Sequence, residues 1–477
     1  MSKTILTEGD EGVRLIIKQR KSQSPQKAVA ENRASRAPVH VVYGGADRFS
    51  AGTAKKLGEL ALKSLDIYAP DFIEFAIAMG MPGVETLGDL LGSAERLERQ
   101  ILRSRSAARR EMPSAWLAWS VYQKTRKKLE TEPVEDFRID FEDGYGFRSN
   151  DEEDKDAARA AKELAKSFNS GSITPFSGFR IKSFNAETYA RAVRTFEIFL
   201  ENLLTSTGGE VPPNFVVTLP KITDRKQVGD LADRIRRSEK HTGLSRGTIG
   251  IEIMIETPSA IFTGNGSSAL PGLIKAGKGR VTSAHLGAYD LTALLGIAGS
   301  HQRIDHPACD LARQMMLFNL RPLGIRLCDS VTTLLPVPIH RDGRLGVVQR
   351  KENTVSVHTG WKRHFENVTR SMENGFFQSW DLHPNQLPAR YAAVYTFFLS
   401  EMDLQGDRLK AFVERATRAT LTGNVFDDAA SAEGIISFFR YGIECGAFTE
   451  KEVSNASGLK PSELESSFTE IVASRPG

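Results

Sequence analysis

The sequence predicts a (β/α)8 barrel with an N-terminal arm and a helical C-terminal extension. Three observations lead there. Eight short apolar runs alternate with longer stretches of helical periodicity, the signature of repeated βα units. No GxGxxG or GxxxxGK[ST] loop is present, which an open doubly wound sheet would more often show after its first strand. The chain, at 477 residues, is too long for one small core and suits a large domain with added elements.

The elements follow in order. Residues 1–38 are expected to form a flexible or surface-wrapping arm; KQRKSQSPQKAVAENRASRAP (18–38) is polar and basic with few large apolar side chains, which suits a solvated surface or an oligomer contact. The barrel is expected over 39–388. Its strands are VHVVYGG from Val39, DFRIDFED from Asp136, GFRIKSF from Gly178 and NFVVTLP from Asn214. The second four are IGIEIMIET from Ile249, VTSAHLGAYD from Val281, GIRLCDSV from Gly324 and FFQSWDLHP from Phe376. The first connection, 46–135, is long for one crossover and should hold several helices, with a turn at Gly80–Asp89. Ala186–Leu204 keeps Tyr189, Val193, Phe196 and Leu200 at helical spacing, and Ala308–Gly324 is similar. Leu334–Val368, between the seventh and eighth strands, is long enough for a lid or hairpin over the mouth. Residues 389–477 are expected to form the helical extension, including Ala389–Met402 and Ala432–Phe448.

Composition narrows the function. Lys+Arg 63 against Asp+Glu 59 leaves a net charge of +4, too near balance to argue for a nucleic-acid partner. The three cysteines, Cys309, Cys328 and Cys445, are scattered, and no CxxC pair exists, so neither a disulfide framework nor a zinc site is suggested. No stretch approaches the roughly 20 apolar residues of a membrane span, and the opening MSKTILTEGDEG does not read as a signal peptide. The expected location is cytoplasmic.

In a barrel, chemistry gathers at the C-terminal ends of the strands. There the sequence places Asp140, Glu142 and Asp143 in RIDFEDGYG, then Arg180 and Lys182, Lys221, Glu256, Gly287-Ala288-Tyr289-Asp290, Asp329, and Asp381 with His383. Carboxylates from several strands meeting at one rim need a counter-charge, and oxygen donors suit Mg²⁺ or Mn²⁺. Glu256 and Asp290, about one βα unit apart, are the candidate metal ligands. Arg180 is the candidate fork for a substrate carboxylate. Plainer roles compete: a solvated turn for the DFED carboxylates, a rim salt bridge for Arg180, a helix cap for Asp290, and a cap on the eighth strand for His383. His358, Trp361 and His364 suit surface or packing roles.

The ordered motifs DFEDG, FRIKS, LPK, IETP, LGAYDL and LHPNQ, spanning roughly Val39 to Gln386, resemble the HpcH/HpaI aldolase/citrate lyase family, above all its citrate-lyase-β-like and malyl-CoA-lyase-like members. The resemblance implies Mg²⁺ or Mn²⁺, a homo-oligomer, and aldol- or Claisen-type carbon–carbon chemistry on a 2-oxo or hydroxy acid, free or as a CoA thioester. It implies Glu256 and Asp290 as metal ligands and Arg180 as substrate and oxyanion contact, with Asp140 and Glu142 behind them. Arg180, Asp143 and His383 are then the candidate catalytic groups, with Asp329, Asp381 and a metal-bound water as further candidate bases. The backbone N–H groups of Gly287 and Ala288 are candidate substrate donors. Two departures stand out: Tyr289 occupies a place where an acidic residue commonly precedes the aspartate, and VYGG lacks an early arginine. The expected function is a divalent-metal-dependent lyase or aldolase acting through a metal-stabilised enolate. A malate-synthase-like condensation, a thioester lyase or hydrolase, and a non-catalytic barrel are the alternatives.

Overall fold

The computed structural model describes residues 36–475 except 342 and 423–428. The expected arm therefore lies almost wholly outside the described residues. Eight parallel strands close into a barrel in sequence order. They are β1 (His40–Gly45), β2 (Asp136–Asp140), β3 (Phe176–Arg180), β4 (Phe215–Leu219), β5 (Gly250–Ile255), β6 (Val281–Leu286), β7 (Arg326–Val331) and β8 (Gln378–Asp381). Closure runs through β1 and β8, with Val42 opposite Asp381. Every strand expected from the sequence is present. β2 stops at Asp140, so Phe141, Glu142 and Asp143 belong to the loop that follows it.

Strand alternation sorts the side chains. Outward positions such as Ile139, Phe179, Val217, Ile253 and Leu286 are fully buried, and they join the helices in the main apolar core. That layer of aliphatic and aromatic side chains supplies most of the folding energy, at roughly 1.5–3 kcal/mol per large apolar side chain fully buried. Inward positions are of another kind. Arg138, Glu252 and His285 are buried inside the barrel. Arg138 donates to Glu252 through Nε (3.0 Å) and Nη2 (2.8 Å) and pairs with Asp136. Glu252 also accepts from Tyr43 (3.0 Å), Thr218 (2.8 Å) and Ser283 (2.7 Å). The barrel is thus plugged by a hydrogen-bonded ionic layer, and the apolar core lies outside it.

Local signals account for the helices. The helix Asn150–Asn169 opens with a capping box from Ser149 and Glu152, and Asp224 with Gln227 does the same for Arg225–Thr242. The helix expected at Ala186–Leu204 runs Tyr189–Thr207 and stops at Gly208, whose φ of 71° suits the left-handed cap. The first connection carries several helices, and both Gly80 and Gly83 take positive φ at the expected turn.

The chain divides into two compact units, of which the first contains residues 36–61, 130–335 and 370–387 and with them all eight strands. The second draws on 62–129, 336–369 and 388–475 and is helical. The stretch expected to form a lid or hairpin is an irregular segment leading into the 27-residue helix Val347–Glu373. Within the helical unit, Trp361 is fully buried and stacks on His358 with ring centroids 5.8 Å apart. Those two side chains are packing groups. Phe398, Phe438 and Phe448 form an aromatic cluster in the same unit. Among the described residues, no helix is long and apolar enough to cross a membrane.

Candidate functional site

The mouth is built from the loop after each strand. Arg180 ends β3 and is buried. Its Nε and Nη2 grip both oxygens of Asp140 at 2.7 and 2.5 Å. Its Nη1 lies 3.0 Å from Glu142 and 3.6 Å from the Met254 sulfur. The guanidinium rests over the Tyr43 ring at 4.9 Å, and Tyr43 in turn stacks on Trp380 at 4.2 Å. Arg180 therefore does form the rim salt bridge, and only its Nη1 edge is turned toward other groups. Asp140 is saturated: beyond the Arg180 fork it accepts the N–H of Glu142 (2.9 Å) and of Gly144 (2.7 Å). It holds the arginine and shapes the DFEDG loop.

Lys221, two residues beyond β4, stands at the rim as the sequence placed it, with a role that the sequence did not assign. Its φ of 50° is positive, which is uncommon outside glycine. That conformation lets its N–H donate to Glu256 Oε1 at 2.5 Å. Its ammonium meanwhile binds Glu142 and Asp143, the latter at 3.0 Å, and lies 3.8 Å from Asp290. The signal available in the sequence was the lysine in LPK, two residues past the strand end.

Glu256 follows β5 and is fully buried. Its Oε2 has no hydrogen-bond partner. Burial, then the nearby Asp290 charge, pushes its carboxyl up to about 8. Asp290 lies in the first turn of the short helix Ala288–Leu294, its side chain 38% exposed. Gly287 makes this arrangement possible. A Cβ there would stand 2.5 Å from both Cβ and Oε2 of Glu256. Gly287→Ala should therefore displace the carboxylate and weaken divalent-cation binding by about tenfold or more, read by calorimetric titration with Mn²⁺.

The charges do not balance. Five carboxylates, Asp140, Glu142, Asp143, Glu256 and Asp290, face two cations, Arg180 and Lys221. Arg180 satisfies Asp140, and Lys221 with the Arg180 edge serves Glu142 and Asp143. For Asp143, burial opposes ionisation, but Arg180, Glu142 hydrogen bonding and Lys221 together hold it below its ordinary value. For Glu142, burial and the Asp143 charge outweigh the two cations and raise it. Asp290 shares Lys221 only at 3.8 Å, and Glu256, pushed up to about 8, keeps its proton at neutral pH unless a cation is bound beside it. A hard dication fits the orphaned Glu256 oxygen and its half-exposed neighbour, because Mg²⁺ commonly takes one or two carboxylates and fills its shell with water and substrate oxygens. Among the described residues, no group of three or more His, Cys, Asp or Glu side chains is arranged to hold a metal ion, so the protein itself would supply only this pair.

Other expected groups sit differently. The Gly287 N–H donates to Ile255 C=O at 3.1 Å and the Ala288 N–H to Ser330 Oγ at 3.1 Å. Both candidate donors are thus already engaged, the first because the β5–β6 ladder runs one residue past the strand and the second by a side chain of β7. Asp329 is fully buried and bound by Arg313 (2.8 Å) and Ser371 (2.5 Å). Asp381 binds His40 at 2.6 Å. These two acids tie strands to their neighbours. His383 Nδ1 accepts the Asn385 N–H at 3.1 Å, capping the turn Pro384–Gln386, and its ring lines a separate cavity beside β1.

A model of the family described as "Domain of unknown function (DUF6986)" matches residues 19–471. No curated protein matches the chain. Among solved structures, the chain is similar to a Haloferax volcanii malate synthase magnesium/glyoxylate complex at 13% identity and a TM-score of 0.41, over 72% of this chain and 89% of that one. It is also similar to an HpcH/HpaI aldolase from Desulfitobacterium hafniense at 14% identity and a TM-score of 0.30, over 55% of this chain and 82% of that one. Likenesses of this strength decide neither the reaction nor the ligands of this chain.

Proposed function

The chain belongs to the DUF6986 family, and we propose that it is a divalent-metal-dependent carbon–carbon lyase or aldolase acting on a 2-oxo acid or its hydroxy-acid adduct. The observation that carries this is the buried Glu256 carboxylate, with one oxygen unpartnered and Asp290 beside it. The motif series DFEDG, FRIKS, LPK, IETP, LGAYDL and LHPNQ supports the same reading.

Glu256 and Asp290 would hold Mg²⁺ or Mn²⁺, which when bound would supply Lewis-acid polarisation of a substrate keto oxygen. The remaining work falls to the chain. Arg180 Nη1 offers a positive edge where negative charge develops on the substrate, and its Asp140 fork keeps that edge fixed. Tyr43 and Trp380 form a stacked floor beneath the arginine, excluding water from its inner side. Asp143 is 55% exposed in its side chain, is held ionised by Arg180 and Lys221, and would serve as the proton-accepting group at the rim. Lys221 balances Glu142 and Asp143, so that a second anion can approach.

The test is an assay of pyruvate, oxaloacetate, glyoxylate and acetyl-CoA release across a panel of hydroxy-oxo acids and hydroxyacyl thioesters with Mg²⁺, with and without chelator. Turnover of free acids that chelator abolishes supports the reading. Turnover confined to thioesters moves it to the thioester lyase or hydrolase alternative, and a panel inert with every metal sinks it.

A further inference from the structure

We propose that the outer face of β1 carries a second, separate ligand site, which takes an organic anion with an apolar body. The inference stands apart from the metal-dependent reaction and does not rest on it.

A cavity of about 390 Å³ lies between the outer side of β1, the start of the helix Thr53–Tyr68 and the turn after β8. That is within the range of small-molecule pockets, about 300–1,000 Å³. Its floor is apolar: Val42, Phe49 and Phe137 are all buried core residues. Phe137 packs against Gly44, where a Cβ would stand 2.7 Å from the ring, so β1 projects no side chain into that part of the space. Leu60 and Leu382 line the cavity and remain 40% and 44% exposed, an apolar surface that a ligand would cover.

Charge sets the class of ligand. Arg48 and Lys56 line the cavity, and no Asp or Glu does. Neither cation has an ion pair or side-chain hydrogen bond among the described residues. His383 adds a polar group to the same wall; in the neutral ring its proton resides on Nε2, since Nδ1 accepts from Asn385. Two unpaired cations over an apolar floor, with no acid in the lining, select a carboxylate or phosphate head on a hydrocarbon body.

The experiment is calorimetric titration of the full chain with sodium octanoate, octyl phosphate and octylamine. The expected result is saturable binding of at least one of the two anions and none of the amine; which anion binds identifies the head group. The paired change Arg48→Gln with Lys56→Gln, both at exposed positions, should weaken that binding by about tenfold or more. Leu57→Trp, which fills the cavity, should abolish it. Mn²⁺ affinity should be unchanged in the double-glutamine chain, which separates this site from the mouth. No saturable anion binding up to about 10 mM, equal binding of octylamine, or anion binding unchanged in the double-glutamine chain would overturn the proposal.

Discussion

Glu256→Gln is expected to lower Mn²⁺ or Mg²⁺ affinity by about a hundredfold or more and to abolish metal-dependent turnover, while the fold stays intact. The reasoning is local. The amide keeps an oxygen for the Lys221 N–H that Glu256 accepts at 2.5 Å, so the loop conformation survives. It removes the group that a bound cation would ionise, at an oxygen that has no other partner. The stability readout separates a functional carboxylate from a structural one. Burial and the Asp290 charge push the Glu256 carboxyl up to about 8, so without a cation the group is an electrostatic liability. In metal-free buffer the glutamine variant should melt at the same temperature as the parent or higher. Asp290→Asn should lose less affinity, about tenfold, because that side chain is partly exposed and water can substitute. A Glu256→Gln chain that binds Mn²⁺ like the parent would place the cation elsewhere and remove the basis for the proposed reaction.

Arg138→Met is expected to destabilise the protein by about 3–5 kcal/mol, measured by urea unfolding. Arg138 is fully buried and shared between Asp136 and Glu252. Removing it strands two carboxylates inside the barrel, where charge without a partner is expensive. Burial works against ionisation of Glu252, yet Arg138 and then His285 hold its carboxyl well below the ordinary value. A depressed carboxyl contributes stability that is complete above the unfolded value of about 4.3 and is lost only as pH falls further. The gap between parent and variant should hence narrow as pH falls, first as the stranded carboxyls of the variant protonate and then, below about 4.3, as the parent loses its own contribution. The paired change Arg138→Met with Glu252→Gln should recover part of the loss. A variant as stable as the parent at neutral pH would show that the ionic layer is dispensable.

Strands such as β4 and β5 were legible because large apolar residues repeat at their outward positions, Phe215, Val217 and Leu219 and then Ile251, Ile253 and Ile255, bounded by turn residues. The carboxylates at the rim were legible because Glu256, closing an apolar run before Thr-Pro, has no use in a core. What escaped the sequence depends on which side of the wall a residue faces and on backbone geometry. Tyr43 and Trp380 sit inside apolar strands and look like core, yet they point inward and support Arg180. Lys221 matters through a positive φ that no pattern of residue types announces. The occupation of the Gly287 and Ala288 N–H groups follows from ladder register and from Ser330 on the next strand. The helix Val347–Glu373 was masked by its mixed polar surface, which gives a weak periodic signal over 27 residues.

Closure of the barrel has a temporal side. β1 and β8 are neighbours in space, with His40 beside Ser379, though nearly the whole barrel sequence separates them. The helical unit likewise waits for its last segment, which starts at Pro388. On the ribosome the nascent chain exposes β1 as an open edge until β8 has emerged, and such edges invite mispairing with other chains. Truncations that remove β8 should accordingly appear in cells as insoluble or chaperone-bound material rather than as a smaller folded protein.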